Sequence, residues 1–202
     1  MEQLKKRVLD ISKKHKLSHI SSCLSVLSIL QQLLISTSSI RRILILDNAH
    51  AHLAHLVVKE ELAKEGYDLG MGAKFDAEEL VQKYGIHCDR AAGCDASGGS
   101  LGHGIGIAIG YALARPKQSV AVIVSDGSMM EGSNWEALRI ASELHLPNLE
   151  IHANLNGYTA VAAIDVNRLG SRLKAFYPGI QIHLTDNGEG FEGVAGHYRV
   201  LE

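Results

Sequence analysis

Val120-Ala121-Val122-Ile123-Val124-Ser125-Asp126-Gly127-Ser128-Met129-Met130-Glu131-Gly132 is the stretch that decides the fold. Its apolar run, Val120 to Val124, reads as a strand buried on both faces, because a half-exposed strand would alternate apolar and polar residues. Asp126 then stands at the carboxyl end of that strand, the edge at which open α/β sheets hold their ligands. A second short apolar segment, Leu149-Glu150-Ile151-His152-Ala153, delivers Asn156 to the same edge. One carboxylate and one amide oxygen converge there, the hard oxygen ligands that Mg2+ takes beside phosphate oxygens and water. Taken alone, Asp126-Gly127 and Asn156-Gly157 also read as turn dipeptides.

Outward from this stretch, helices are predicted near 2–15, 23–35, 50–65, 76–83, 103–114, 134–145 and 166–174, with strands near 43–46, 119–125, 149–153 and 180–184. The alternation predicts an α/β fold with a mainly parallel sheet flanked by helices on both faces. With 202 residues, 46% of them hydrophobic, the chain has the material for one sizeable core, and 1–202 reads as a single domain. Gly66 and Gly70-Met71-Gly72 punctuate the first half, and 91–104 is glycine-rich. Glycines 98, 99, 102, 104 and 106 fit a backbone that lies flat against a ligand and then enters a helix through Gly106. A plain glycine-rich loop closing onto a helix is the competing reading.

Lys plus Arg is 20 and Asp plus Glu 22, so no global basic field attracts nucleic acid. The basic cluster of Lys5, Lys6, Arg7, Lys13, Lys14 and Lys16 reads as the solvated face of a first helix whose apolar side is Leu4, Val8 and Ile11. Ile20 to Ile35 is apolar, but short and interrupted by Ser and Gln; it reads as a buried helix rather than a membrane span, and no signal peptide is recognisable. Cys23, Cys88 and Cys94 are an odd set without paired spacing, which argues against a disulfide scaffold and for a reducing, cytoplasmic compartment. His87-Cys88 with Cys94 suggests zinc, yet a fourth ligand at useful spacing is missing. His50, His52 and His55 do not share one helix face, so only one or two can point at a single site.

Five blocks together resemble the transketolase family of thiamine diphosphate enzymes. Ser125-Asp126-Gly127 followed by Asn156 is similar to the cofactor motif of those enzymes, and Met130-Glu131-Gly132-Ser133-Asn134-Trp135-Glu136-Ala137 to the family's Met-Glu-Gly-x-x-x-Glu-Ala. Ser18-His19 to Ser25 resembles its Gly-His-x-Gly-x-x-x-Ser segment, Asp47-Asn48-Ala49-His50-Ala51 its Ser-x-Gly-His-Ala, and Gly98-Gly99-Ser100-Leu101-Gly102-His103-Gly104 its Thr-Gly-x-Leu-Gly-Gln-Gly. Ser125 stands where the family has a glycine, and His103 where it has glutamine. Beyond Asp165 the chain is shortened relative to the family; Leu184 to Phe191 stands for a Thr-x-x-Gly-x-Gly segment, and His197 for a histidine that reaches the diphosphate.

The resemblance implies thiamine diphosphate and Mg2+ as cofactors. Asp126, Asn156 and the backbone carbonyl of Tyr158 would bind the metal. His50, Gly99, Leu101, Gly127 and His197, with Asp126 and Asn156, would line the cofactor. His19, His50 and His87 would act on the sugar's carbonyl and hydroxyls, and Glu131 and Glu136 at the subunit interface or in the proton relay, unless they are N-terminal dipole partners of the helix. All matched blocks belong to the family's diphosphate-binding first domain. The glutamate that activates the thiazolium lies on another domain. The expected protein is therefore the N-terminal subunit of a split transketolase of the pentose phosphate pathway. It would pair with a C-terminal subunit in a two-plus-two heterotetramer and act on sugar phosphates. The α subunit of a 2-oxo acid dehydrogenase first component, deoxyxylulose-phosphate synthase and a non-catalytic scaffold are the rival readings.

Overall fold

In the computed structural model, which describes residues 1–35, 41–67 and 75–202, four parallel strands form one sheet. They are β1 (Ile43–Leu46), β2 (Val120–Ser125), β3 (Leu149–Leu155) and β4 (Gln181–Leu184), adjacent in the order β1-β2-β3-β4. The expected sheet is thus parallel throughout. Among the described residues eight α-helices accompany it: α1 (Glu2–His15), α2 (Ile20–Leu34), α3 (His52–Lys64), α4 (Ala77–Tyr84), α5 (Gly104–Ala114), α6 (Gly132–Leu144), α7 (Val166–Phe176) and α8 (Gly193–Tyr198). Gly70 and Gly72 lie outside the described residues.

The pleat sorts the strand side chains into two cores. Leu44, Leu46, Ala121 and Ile123 face α1 to α4, burying Val8, Ile11, Leu27, Leu30, Leu56 and Val57. Ile43, Ile45, Val120, Val122 and Val124 face α5, α6 and α7 through Ile105, Ile109, Leu138 and Leu173. A strand buried on both sides has no polar face to display, hence the unbroken apolar run at 120–124. Ile20–Leu34 is a buried helix as expected, with both flanks covered. Among the described residues no helix is long and apolar enough to cross a membrane. The basic face of α1 is partly ion-paired, Lys14 to Glu78 at 2.6 Å and Arg7 to Glu60 at 3.0 Å.

Boundaries differ from expectation where side chains override periodicity. The helix expected from residue 50 begins as a tight 3-10 turn at Ala49–Ala51 before α3. β3 runs on to Leu155 although Asn154 is polar. The Asn154 amide donates to Ser25 Oγ (3.0 Å) and its oxygen accepts from Thr185 Oγ1 (2.6 Å), so the polar side chain is buried without an orphaned group. Capping is conventional at Asp76 and Asp165, whose carboxylates take backbone amides of the first turns of α4 and α7.

Candidate functional site

β1, β2 and β3 end side by side at Leu46, Ser125 and Leu155, and the expected site residues gather at this edge. Asp126, wholly buried, follows β2; its Oδ2 accepts the Asn156 backbone N–H at 2.8 Å. Asp126 Oδ1 is buried with no hydrogen-bond partner. Burial pushes this carboxyl up to about 6, against the pull of the Asn156 and Gly157 amides. The Asn156 side chain accepts the Tyr158 N–H at 3.1 Å and reaches Ser25 Oγ at 3.5 Å. Asp126 and Asn156 are therefore neighbours, with the acid's second oxygen turned to no protein group.

Ser125 stands where a family glycine is expected, and it does not need one. It is the last residue of β2 and is absent from the residues of positive φ, which are Lys16, His19 and His145 apart from glycines. Its hydroxyl accepts the Ser128 N–H at 3.2 Å and closes the turn. Gly127 is packed so that a Cβ would stand 3.3 Å from Leu101 Cδ1, which places Leu101 against the Asp126-Gly127 turn.

Four histidines from four separated segments converge on one another. His19, the N-cap of α2 at φ 62°, lies 4.9 Å from the His50 ring and 4.8 Å from the His197 ring. His50 and His197 are 5.7 Å apart, and Tyr198 packs edge-on against His197. His87 closes the group from the glycine loop, its ring 3.6 Å from where a Gly99 Cβ would sit. Burial, then the neighbouring imidazoles, hold His19 down to about 4 and His50 to about 3. Burial lowers His197 as well. All three are uncharged at neutral pH.

Two serines of α2 touch the two groups. Ser22 Oγ lies 3.2 Å from His50 Nε2, and Ser25, one turn on, donates to the Ser22 carbonyl and meets the amides of Asn154 and Asn156. Sequence reasoning assigned no role to Ser22, Ser25 or Asn154, although Ser25 closes one of the family-like blocks. Residues i and i+3 share a helix face, so the serines at 22 and 25 were the available signal.

Asp47 was likewise missed as a functional residue. It ends β1, and its buried carboxylate accepts N–H groups from Gly102 (3.1 Å), His103 (2.8 Å) and Gly104 (2.5 Å), together with the Asn134 amide (3.1 Å). These are orphan donors at the start of α5, so one acid fixes the glycine loop to the sheet edge. The glycine requirement falls at Gly102 and Gly104, where a Cβ would come within 2.6 Å of Ser133 Oγ and 2.5 Å of Asp47 Cβ. At Gly106, expected to admit a close approach, an added Cβ meets nothing within 4 Å. A cavity of about 310 Å³ opens beside this loop, lined by Asp47, Gly98, Gly99, His103 and Ile107.

Of the two glutamates, Glu136 is exposed and paired with Arg139 at 2.6 Å. Glu131 is the residue before α6 and packs beside Gly102.

The sheet edge thus carries a buried acid with a spare oxygen, an adjacent amide, a glycine turn and uncharged imidazoles. Residues 80–163 match the family model described as thiamine pyrophosphate enzyme, C-terminal TPP binding domain. An uncharacterized transketolase family protein of Sinorhizobium fredii is 33% identical over 121 residues, covering 52% of this chain and 43% of that protein. A protein of Actinobacillus succinogenes, named as one of the subunits of an apulose-4-phosphate transketolase, is 39% identical over 66 residues, 31% of this chain and 24% of that protein. The transketolase structure from Campylobacter jejuni superimposes with a TM-score of 0.62 at 20% identity, covering 87% of this chain and 31% of that one. The fold is that of the corresponding part of transketolase, and the chain is similar to thiamine pyrophosphate enzymes and to transketolase-family proteins. It spans less than half the length of these relatives. The matched model is described as a C-terminal domain, so the expected N-terminal role does not come from that match.

Proposed function

We propose that this chain is the N-terminal, diphosphate-binding subunit of a split transketolase, working with a separate C-terminal subunit on sugar phosphates. The observation that carries the reading is Asp126 at the end of β2, with one oxygen on the Asn156 amide and the other buried without a partner. An unpartnered buried carboxylate is costly, and a cation is the ligand that removes the cost. The oxygen donors are hard, which suits Mg2+. Support for a divided enzyme comes from the relative of Actinobacillus succinogenes, which is itself named as one part of a transketolase.

Asp126, Asn156 and the Tyr158 carbonyl would hold Mg2+; the Gly127 amide, His50 and His197 would meet the diphosphate, and Gly99 and Leu101 the aminopyrimidine. When bound, thiamine diphosphate supplies a nucleophilic carbon and an electron sink for breaking the bond beside a ketone. His19, His50 and His87 orient the donor's carbonyl and hydroxyls and take or return hydroxyl protons at their ring nitrogens. A polyanion beside His19 and His50 would raise their affinity for protons toward the working range. Ser22 and Ser25 hold His50 and Asn156 in register across α2. Glu131 and Glu136, at the start of α6, belong to the surface presented to the second subunit, and the assembly is a cytoplasmic two-plus-two heterotetramer.

The test is ketol transfer from xylulose 5-phosphate to ribose 5-phosphate by this chain mixed with its partner subunit, thiamine diphosphate and Mg2+. Activity in the mixture, and in neither component on its own, is expected. A mixture that assembles and binds the cofactor but transfers nothing would overturn the assignment in favour of a scaffold.

A further inference from the structure

A second cluster of ligating side chains lies between α3 and the 85–98 segment. His55, Cys88 and Cys94 are all buried, and their ligand atoms lie within 4.8 Å of one another. Cys94 Sγ is 3.4 Å from His55 Nδ1. His52 precedes His55 by one turn, sits against Cys94, and is wholly buried. Its Nδ1 is 3.1 Å from the Gly85 carbonyl, which can only accept, so Nδ1 carries the proton and Nε2 presents a lone pair. That Nε2 is buried and unpartnered, as is Nε2 of His55. α3 thus brings His55 to the two cysteines and His52 against Cys94, while His87 turns to the other site.

We propose that His52, His55, Cys88 and Cys94 form a structural tetrahedral site for a zinc-class cation. Bonds of about 2.3 Å to sulfur and about 2.0 Å to nitrogen set tetrahedral ligand atoms roughly 3.5–3.8 Å apart, so the ligand atoms of His55, Cys88 and Cys94, within 4.8 Å of one another, need to close by about 1 Å, and His52 would complete the set from beside Cys94. The Gly85 carbonyl that orients His52 is the outer partner such histidines ordinarily have. The site would staple the 85–98 segment, which carries His87 and Gly98, onto α3. That segment is already tied by Cys88 N–H to the Ala49 carbonyl and by Lys59 Nζ to the Gly93 carbonyl. Lys59 also neighbours both thiols, so a metal-free thiolate–ammonium pair is the competing arrangement.

The full chain, purified under reducing conditions without chelator, is assayed for metal content and then reconstituted with Co2+. About one zinc per chain is expected, with thiolate-to-cobalt charge-transfer bands and the visible bands of a tetrahedral ion. Cys94→Ser should abolish those bands, and His52→Gln should weaken binding by about tenfold or more. Asp126→Asn should leave zinc binding unchanged, so this site and the diphosphate site fail separately. Less than about 0.1 zinc per chain after equimolar loading, an octahedral cobalt spectrum, or a Cys88–Cys94 disulfide in the mass of the native chain would each overturn the proposal.

Discussion

Asp47 and Asp126 end adjacent parallel strands, yet their carboxylates are treated oppositely. Asp47 is saturated by three backbone amides and Asn134, whereas Asp126 keeps one buried oxygen with no partner. The first is therefore a structural acid, and the second is the one the proposed cation would complete. Asp47→Ala strands several buried donors at the start of α5 and should cost about 1–3 kcal/mol or more in denaturant unfolding. Gly104→Ala, which forces a methyl into Asp47, should cost a similar amount, about 1–3 kcal/mol. Asp126→Asn keeps an acceptor for the Asn156 amide and removes a carboxyl that burial has already raised; its thermal midpoint should hold or rise. A fall of the midpoint as large as that of Asp47→Ala would mean that Asp126 is structural too. Asp126 was legible in the sequence because an apolar run pointed directly at it. Asp47 ends an equally apolar run, but its partners lie 55 to 57 and 87 positions away, and no local pattern announces them.

At the scale of elements, α2 and α8 build the histidine pocket. His19 opens α2 in a left-handed conformation, and its backbone amide is 3.3 Å from the His197 carbonyl. Folding lowers the proton affinity of His19 and His50 below that of the unfolded chain, to about 4 and about 3. The unfolded state therefore binds more protons below pH 6.5, and stability must fall as the pH drops from 6.5 toward 4. The pocket's titratable groups are His19, His50, His87, His197 and Tyr198. A melting midpoint lower by roughly 5 °C at pH 5 than at pH 7 is expected. His50→Gln should flatten that slope, and an unchanged slope in the variant would place the proton uptake elsewhere. α8 was invisible beforehand because Gly193-Val194-Ala195-Gly196-His197-Tyr198 carries two glycines and no helical apolar period. The division among His50, His52 and His55 was half legible: spacing shows that they do not share one face, but only the fold shows that His52 and His55 lie against the cysteines.

Across the whole molecule, four strands in sequential order bring their carboxyl ends to one edge, and residues from 19 to 197 meet there. The sheet, its two apolar faces and the Asp126–Asn156 pairing followed from strand-like runs and their spacing, since a parallel sheet fixes which ends coincide. The contributions of Ser25, Thr185 and His197 depended on side-chain fits that periodicity does not encode. A glutamate on a second subunit is needed for the proposed chemistry, so mixing should create activity rather than add to it. Native mass measurement of the mixture should show two copies of each subunit. A stable complex of this chain with itself alone that catalyses transfer would contradict the division of labour.

The most direct test of the Asp126 site is calorimetric titration of thiamine diphosphate into the mixed subunits, with Mg2+ and with chelator, for the native chain and for Asp126→Asn. Saturable binding that requires the divalent ion and is lost in the folded variant is the result expected here. Equal binding by both chains, or binding indifferent to the metal, would contradict a cation held at Asp126.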